Sequence, residues 1–319
     1  MILIFGATGF VGRHLCLHLK NRGKDILALG KSEKIGKFFK KNEIDFLHFD
    51  ITNDLMYDKL PKKGVSCVIN LAGVTDKYEV PVERYFEINT IGTYKTLEYC
   101  KKNKIKNYIL SSIHKVYNDL NKDIISETDH IQYKGPYTPF ILSKLAAENF
   151  VEYYNRDFGI NGMIFRFTGV HGYGEMFGHL HKDNSYSAST FEINIAKAKR
   201  GETIEVWGDV AIKRDHIYVK DLIVALEKAT QTKESAGLYI IASGHGISLL
   251  EEAEAIADAF ASNKRSKVIH LPEKQGLNRG YVYDISKAKK AFDWEPKFSL
   301  VEMLKDYKID EIKFKEEWE

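Results

Sequence analysis

The eleven residues Ile2-Leu-Ile-Phe5-Gly6-Ala-Thr-Gly9-Phe-Val-Gly12 decide the fold class of this 319-residue chain. Four apolar residues predict a buried strand. Glycines at positions 6, 9 and 12 follow, where a helical pattern over Val11–Arg22 begins. Glycines at this spacing allow a tight turn, close approach of the backbone to a pyrophosphate, and close packing of helix on strand. The helix N-terminus adds oriented N–H groups. The stretch therefore predicts a dinucleotide-binding turn, with these cofactor-binding residues: Gly6, Thr8, Gly9, Phe10, Val11 and Gly12.

Short apolar runs alternate with helical patterns through the first half of the chain. Strands are predicted at Ile2–Phe5, Asp25–Leu29, Asp45–Phe49, Cys67–Leu71, Tyr108–Ser111 and Gly162–Phe167, and longer helices at Val11–Arg22, Pro81–Lys102 and Pro139–Asp157. Nearly all-apolar strands that alternate with helices are typical of a parallel sheet with helices on both faces. The predicted fold class is therefore α/β, a doubly wound parallel sheet. The second half is less regular, and Gly169–Ser189, rich in Gly, His and Tyr, is predicted as a loop.

Composition and charge exclude several classes of protein. The net charge is +3 without a concentrated basic face, so nucleic acid is not an expected partner. The three cysteines lie in apolar runs, which indicates buried free thiols in a reducing compartment. No apolar run approaches the ~20 residues of a membrane span, and Met1 leads directly into a strand without a signal-peptide pattern. We therefore expect a cytoplasmic protein that does not contact a membrane.

The residues that end the second predicted strand bear on the choice of dinucleotide. An acid that binds the ribose hydroxyl is expected about 20 residues after the glycine turn, but the strand ends Leu29-Gly30-Lys31-Ser32. Gly30 leaves room, while Lys31 and Ser32 offer a charge and a hydroxyl to a 2′-phosphate. This pattern favours NADP(H) over NAD(H), with Lys31 and Ser32 as cofactor-binding residues. The alternative for Lys31 is a solvated surface lysine.

Further motifs are distributed over essentially the whole chain. They are Asp50-Ile51, Asn70-Leu71-Ala72-Gly73, Asn89-Thr-Ile-Gly92-Thr93, Ser111-Ser112 with Val116-Tyr117, Ser143-Lys144 with Glu148, Arg166–Gly172, Trp207-Gly208-Asp209 with Arg214-Asp215 and Val219, Asp284 with Lys287, and Phe292 with Trp294 and Pro296. Together with the glycine turn, this series resembles the extended short-chain dehydrogenase/reductase family, which contains NAD(P)-dependent nucleotide-sugar epimerases and dehydratases.

The resemblance implies a Rossmann domain of residues 1–168, completed by parts of 212–242, and a smaller C-terminal α/β substrate-binding domain of residues 169–319. It implies an epimerase or dehydratase that acts on a nucleotide-diphosphate sugar through a 4-keto-type intermediate, with a bound nicotinamide dinucleotide. It also implies a homodimer, joined by a helix bundle that is built from Pro81–Lys102 and Pro139–Asp157.

The matched motifs imply individual site residues. Further cofactor-binding residues are Asp50, Ile51, Leu71, Ala72, Gly73, Asn89, Ser111 and Lys144. The implied substrate-binding residues are Gly169, Trp207, Arg214 and Arg279, and the two arginines are spaced like a pair that grips a diphosphate, which guanidinium groups suit. The segment Arg166–Gly172 departs from the resembled motif at Gly169 and His171, where the family has Asn and Tyr.

The catalytic helix departs from the family in one residue that matters for the chemistry. These enzymes use a Tyr that exchanges a proton with a sugar hydroxyl and a Lys four residues later that lowers the phenol's pKa and holds the nicotinamide ribose. Here the Lys is Lys144, and four residues before it stands Phe140. Thr138 and Pro139 read as an N-cap and first-turn pair, which places Phe140 where the phenol belongs. The ring is present and the hydroxyl is not.

A second departure concerns the hydroxyl that accompanies the phenol. In the family a Ser or Thr stands four residues before the Tyr of the VYG motif, and counting back from Tyr117 gives Ile113. Either a local bulge brings Ser112 into that place or the hydroxyl is missing. His114 follows, where it could substitute as an acid–base group or lie in a surface loop. The candidate catalytic residues are therefore Lys144, Phe140, Ser112 and His114.

Three explanations for Phe140 stay open. It is an engineered Tyr-to-Phe change that traps a substrate, or it is natural and Tyr137, Tyr133 or His114 supplies the proton. In the third, the protein binds cofactor and nucleotide sugar without turnover. An NADPH-dependent 4-ketosugar reductase is a further alternative within the same fold. No metal site is predicted, because His171, His179 and His181 do not share a helix face.

Overall fold

The computed structural model describes residues 1–131, 134–174, 178–277 and 279–318. Its strands are β1 (Ile2–Phe5), β2 (Ile26–Gly30), β3 (Phe46–His48), β4 (Cys67–Asn70), β5 (Asn107–Ile113), β6 (Asn161–Phe167), β7 (Gly169–His171), β8 (His179–Leu180), β9 (Tyr186–Ser187), β10 (Ile204–Trp207), β11 (Lys213–Tyr218), β12 (Gly237–Ile241), β13 (Gly246–Ser248) and β14 (Val268–Leu271). Its helices are α1 (Phe10–Asn21), α2 (Glu33–Lys41), α3 (Val82–Tyr85), α4 (Gly92–Lys102), α5 (Pro139–Phe158), α6 (Thr190–Arg200), α7 (Val219–Ala229), α8 (Leu249–Ala259), α9 (Ser286–Phe292) and α10 (Leu300–Trp318).

A seven-stranded parallel sheet forms the centre of the molecule. Its strand order is β12-β6-β5-β4-β1-β2-β3, and two separate clusters of apolar side chains pack on it. Both β1 and β4 are buried along their whole length, which is why their sequences show no alternation of polar and apolar residues. The predicted α/β class with a doubly wound parallel sheet is confirmed. The strand order reverses between β1 and β4, and ligands of such sheets bind at that point.

The helix predicted over Pro81–Lys102 is interrupted. α3 ends at Tyr85, a π-helical turn covers Phe86–Ile91, and α4 begins at Gly92. The turn contains Asn89, whose side chain bonds across to two other segments, and π turns of this kind commonly occur at functional sites. Hydrophobic spacing over so short a segment does not distinguish a π turn from a continuous α-helix.

The second half of the chain builds small sheets beside the large one. β7, β11 and β13 form a three-stranded sheet, and β10 pairs with β14. The prediction that Gly169–Ser189 is a loop was wrong in part, since β7 lies at its start and β8 pairs with β9 inside it. The reason is that the partner of β7 is β11, more than 40 residues later, so local sequence carried no sign of the pairing. β12 hydrogen-bonds to β6 and thereby extends the large sheet.

Two further expectations from composition can be set beside the structure. Cys16, Cys67 and Cys100 are buried free thiols, as the sequence predicted. Across the described ranges, every helix is either too short or too polar to cross a membrane.

Candidate active site

A cavity of about 270 Å³ lies above the carboxyl ends of the central strands of the large sheet. Nine of the predicted cofactor-binding residues line it: Gly6, Thr8, Gly9, Lys31, Asp50, Ile51, Leu71, Ala72 and Gly73. We call this space the dinucleotide cavity. The other six lining residues were not predicted to bind the cofactor: Gly30, and five whose apolar side chains read as ordinary core, Phe5, Leu29, Phe49, Val74 and Ile88.

Two glycines of the turn are required by close backbone contacts. Gly6 has a φ of +76°, and a Cβ there would lie 2.5 Å from the backbone nitrogen of Ala72. A Cβ at Gly12 would lie 2.4 Å from the carbonyl oxygen of Gly6. The backbone therefore packs as closely as a phosphate-binding turn requires, and the residues present fit a dinucleotide pyrophosphate. The side chains of Phe10 and Val11 pack against the apolar core instead of lining the cavity.

Lys31 and Ser32, which the sequence predicted as cofactor-binding residues, each have a partner within the chain. A Cβ at Gly30 would lie 2.6 Å from the Thr8 hydroxyl oxygen, so this glycine makes room for Thr8. The Lys31 ammonium pairs with Asp50 at 2.8 Å, and Ser32 accepts a bond from Ile35 N as the N-cap of α2. Burial raises the pKa of Asp50, but its bonds from Lys31 and Thr52 outweigh this and hold the pKa at about 2.

Asn89 and Ser111 position the cavity wall with their side chains. The Asn89 amide accepts a bond from Val74 N and donates to the Val74 carbonyl and to Ser143 Oγ. The Ser111 hydroxyl donates to the Asn70 carbonyl, and the Ser111 carbonyl accepts from Lys144 Nζ at 3.0 Å. These bonds tie the loop after β4 to the π turn and to α5.

Lys144 and Phe140 lie where the sequence predicted, one turn apart on α5. Thr138 caps this helix by accepting from Ile141 N, and Pro139 occupies its first turn. The Lys144 ammonium is buried, and a Cβ at Gly73 would lie 3.2 Å from it, so it borders the dinucleotide cavity. Burial lowers the pKa of Lys144 to about 8, although Glu148 opposes the shift. The Phe140 ring is buried, and its centroid lies 6.2 Å from that of Tyr85.

The hydroxyl of Ser112 donates to Glu148, which forms a buried ion pair with Arg166. Glu148 receives two bonds from Arg166, at 2.9 and 2.6 Å. Arg166 in turn donates to the Tyr117 hydroxyl. Regular strand structure runs through Ile113, where the family has its Ser or Thr, so the structure has no bulge that would shift Ser112 by one place.

His114 is buried, so the alternative that places it in a surface loop is wrong. Its Nδ1 lies 2.9 Å from the Tyr283 hydroxyl, and its ring contacts that of Tyr281. Burial, and then the nearby cations, of which Lys115 has the largest influence, lower the pKa of His114 to about 3. The neutral ring is the form present near neutral pH. Tyr137 packs against the apolar core in part, and Tyr133 lies outside the described residues.

Buried neutral histidines predict a loss of stability in acid. Burial lowers the pKa of both His14 and His114 to about 3, whereas the unfolded side chains titrate near 6.5. The unfolded state therefore binds more protons below pH 6.5, and stability falls by about 1.4 kcal/mol per pH unit for each group. Urea unfolding at pH 7 and pH 5 should show a loss of about 2 kcal/mol per histidine. His14→Gln should reduce this slope and His130→Gln, at an exposed site, should not; equal slopes would contradict the assignment.

A larger cavity of about 650 Å³ lies beside the first, and we call it the arginine-lined cavity. Gly169, Trp207 and Arg214 line it, as predicted for substrate-binding residues. Arg214 stacks on the Tyr281 ring and donates to the Arg279 carbonyl, while the Arg279 guanidinium donates to the Tyr117 carbonyl. The Arg214 side chain thus lies beside the backbone of Arg279, while the Arg279 guanidinium contacts Tyr117. Lys77 lines this cavity and Val74 lines the other one, three residues away, so the two cavities are neighbours.

The sheet, the glycine turn and the two cavities define a dinucleotide-binding α/β protein of the Rossmann class. The profile of the NAD dependent epimerase/dehydratase family matches residues 2–242. A putative UDP-glucose 4-epimerase of Methanocaldococcus jannaschii is 29% identical over 309 residues, which cover 96% of each chain. UDP-glucuronic acid 4-epimerase from Bacillus cereus, solved in complex with NAD, has a TM-score of 0.77 at 23% identity and covers 98% of this chain and 96% of its own. RMD from Pseudomonas aeruginosa, complexed with NADPH, has a TM-score of 0.73 at 22% identity, with 97% and 98% covered.

The chain therefore belongs to the NAD dependent epimerase/dehydratase family and is an NAD(P)-binding protein. The family resemblance inferred from the sequence motifs is confirmed.

Proposed function

We propose that this protein is a nucleotide-diphosphate-sugar epimerase or dehydratase that acts through a 4-keto-type intermediate. The observation that carries the proposal is the pair of neighbouring cavities, one bordered by the buried Lys144 and the other lined by Arg214. A bound nicotinamide dinucleotide supplies a hydride acceptor and donor for a sugar carbon. Arg214 and Arg279 hold the diphosphate by charge and hydrogen bonds. Relatives with UDP-sugar names support this class of substrate.

We propose that Lys144 exchanges the proton that a phenol exchanges elsewhere in the family. Its ammonium is desolvated, lies one helical turn from Phe140, and has a pKa lowered by burial to about 8. A general acid or base works best when its pKa is near the working pH. His114 is held by Tyr283 in a buried site, so it is the less suited group.

The test of the function is incubation with a panel of UDP-, dTDP- and GDP-sugars, with products read by mass spectrometry and NMR. Epimerisation changes stereochemistry at constant mass, and dehydration removes water. Net consumption of NADPH with a 4-keto sugar would instead identify a 4-ketosugar reductase. Binding of cofactor and sugar without any product would favour a non-catalytic binding protein, the alternative that Phe140 and Ile113 support.

We propose that the cofactor is NADP(H) rather than NAD(H). No carboxylate ends β2, and the Lys31 side chain, at the rim of the cavity, is 57% exposed. Lys31→Ala is expected to weaken NADPH binding ~10-fold or more, since charge-assisted bonds contribute ~1.5–3 kcal/mol, and to leave NADH binding nearly unchanged. Fluorescence titration measures both, with Lys37→Ala on α2 as control. Tighter binding of NADH than NADPH by the unaltered protein would show the preference to be wrong.

We propose a homodimer that is joined through α4 and α5. Exposed apolar side chains lie on the predicted helical segments, among them Ile91, Tyr94, Leu142 and Tyr153. Burying such a patch in a partner copy removes apolar surface from water. Light scattering should give twice 36.6 kDa, and Tyr94→Glu should give the monomer. Ile309→Glu, at an exposed position on α10, is the matched control; a monomeric unaltered protein at micromolar concentration would contradict the proposal.

A further inference from the structure

Three side chains in the wall of the arginine-lined cavity form a cluster that the proposed reaction does not use. They are His171, His216 and Glu252, and we call them the His-His-Glu cluster. All three also line a smaller cavity of about 210 Å³. One donor atom from each residue lies within 4.8 Å of the other two.

The small sheet brings the two histidines together. β7 and β11 are parallel neighbours, with Gly169 opposite His216 and His171 opposite Tyr218. Residues 169 and 171 share one face of β7, so His171 and His216 are diagonal neighbours on that face. Their ring centroids are 4.5 Å apart.

Glu252 completes the cluster from the N-terminal half of α8. Its carboxylate Oε1 lies 3.8 Å from His171 Nε2, and both side chains are nearly excluded from solvent, at 12% and 7% exposure. A carboxylate buried in this way needs a compensating charge or hydrogen bonds, and the Arg214 guanidinium in the same cavity supplies part of that charge.

The glycine at position 169 makes the position of His216 possible. A Cβ at Gly169 would lie 2.4 Å from His216 Nδ1, so any other residue there would push the imidazole away. This Nδ1 is buried and has no hydrogen-bond partner in the part of the chain that the structure describes. Gly169 and His171 are the two residues that depart from the resembled motif. The two departures therefore act together. Gly169 leaves space for the His216 ring, and His171 supplies a second donor atom of the cluster.

We propose that His171, His216 and Glu252 bind a divalent transition-metal ion, in first place Zn²⁺. Two imidazoles and one carboxylate are a donor set that Zn²⁺ takes with a fourth position left open. Zinc–ligand bonds of about 2.0–2.2 Å place the donor atoms roughly 3.3–3.5 Å apart, so binding draws the side chains together by about an ångström. His171 and Glu252 are nearly at that separation already.

The three donor residues line the arginine-lined cavity, from which a fourth ligand can reach the ion. Arg214 lines the same cavity, and an anionic oxygen there would meet the metal ion and the guanidinium together. With a nucleotide-diphosphate sugar bound, the fourth position takes a phosphate oxygen; this last step rests on the proposed function, while the metal site does not.

The experiment is a Zn²⁺ titration of the chelator-treated full chain by calorimetry, without any nucleotide sugar, in competition with a chelator of known affinity. We expect one high-affinity ion per chain. Glu252→Gln and His216→Ala should each weaken Zn²⁺ binding by more than the ~10–100-fold that loss of an outer-shell partner costs. Gly169→Asn, which keeps all three donors and displaces His216, should have the same effect. Co²⁺ in place of Zn²⁺ should give the intense visible absorption of a four- or five-coordinate ion.

The matched control is the double variant His179→Ala/His181→Ala, which removes two histidines outside the cluster and should leave the affinity unchanged. Circular dichroism of each variant separates loss of the site from loss of the fold, and Glu252→Gln keeps the shape of the side chain. The absence of stoichiometric binding, or an affinity that Glu252→Gln and Gly169→Asn leave unchanged, overturns the proposal. Because no sugar is present, neither result bears on the reaction, which the nucleotide-sugar panel tests separately.

Discussion

Lys144→Arg is expected to lower kcat by ~10²–10⁴-fold, the usual value of a positioned proton transfer, while dinucleotide binding is kept. Arginine preserves the positive charge beside Gly73 but does not lose its proton at any working pH. The substitution therefore separates the holding of the cofactor from the exchange of a proton. Turnover is measured on the productive sugar of the panel, and cofactor affinity by fluorescence titration.

The companion substitution is Phe140→Tyr, which is expected to change turnover by less than ~10-fold. The ring position is kept and a phenol is added, but position 113 is an isoleucine and Ser112 donates to Glu148, so no hydroxyl accompanies it. Tyr137→Phe and His114→Ala should likewise leave turnover within the same range. A rise of 100-fold or more in Phe140→Tyr, on the ~10²–10⁴ scale of proton transfer, would show that this chain lacks only the phenol and that Lys144 is not its substitute.

The pH dependence of kcat gives an independent measure of the same group. With burial lowering the pKa of Lys144 to about 8, the proposal predicts an inflection of the kcat profile near that pH. Lys144→Arg should remove the inflection along with most of the turnover. A profile that is flat between pH 7 and pH 9 in the unaltered enzyme would count against Lys144.

Glu148→Gln is expected to destabilise the fold by ~3–5 kcal/mol, because it leaves a buried guanidinium without its counter-charge. Arg166 and Glu148 are both 7% exposed and are joined by two hydrogen bonds at 2.6 and 2.9 Å. The Arg166 guanidinium also lies over the Tyr117 ring, 4.9 Å from its centroid. Urea unfolding at pH 7 measures the change in free energy.

Two controls separate the buried charge from lost packing. The double variant Glu148→Leu/Arg166→Met replaces the pair by apolar groups and should recover most of the stability, since buried pairs of this kind are often neutral relative to apolar residues. Asp157→Asn, which removes an exposed partner of Arg156, should cost less than ~1 kcal/mol. A loss below ~1 kcal/mol in Glu148→Gln would mean that water reaches the Arg166 guanidinium.

Local sequence determined the parts of this protein whose geometry depends on neighbouring residues. The turn from Gly6 to Gly12 needs glycine because Gly6 has a φ of +76° and a Cβ at Gly12 would lie 2.4 Å from the Gly6 carbonyl oxygen, and such local contacts leave a readable pattern. The start of α5 at Thr138 and Pro139 is equally local, since a cap bonds to a residue three positions on. The four-residue spacing of Phe140 and Lys144 then fixes both on one face of the helix.

The tertiary structure decided which distant side chains meet. The place of Lys31 at the end of β2 could be read from the sequence, but its ion pair with Asp50 could not, because only the pairing of β2 with β3 brings the two side chains together. His216 and Glu252 carried no signal, because they join His171 only when β11 pairs with β7 and α8 packs beside them. The sequence left open whether His114 is an acid–base group or lies in a surface loop, and Tyr281 and Tyr283, from the far end of the chain, contact it in a buried position. Sequence spacing specifies contacts along one helix or strand, whereas contacts between elements follow from strand order and crossing, which no single segment encodes.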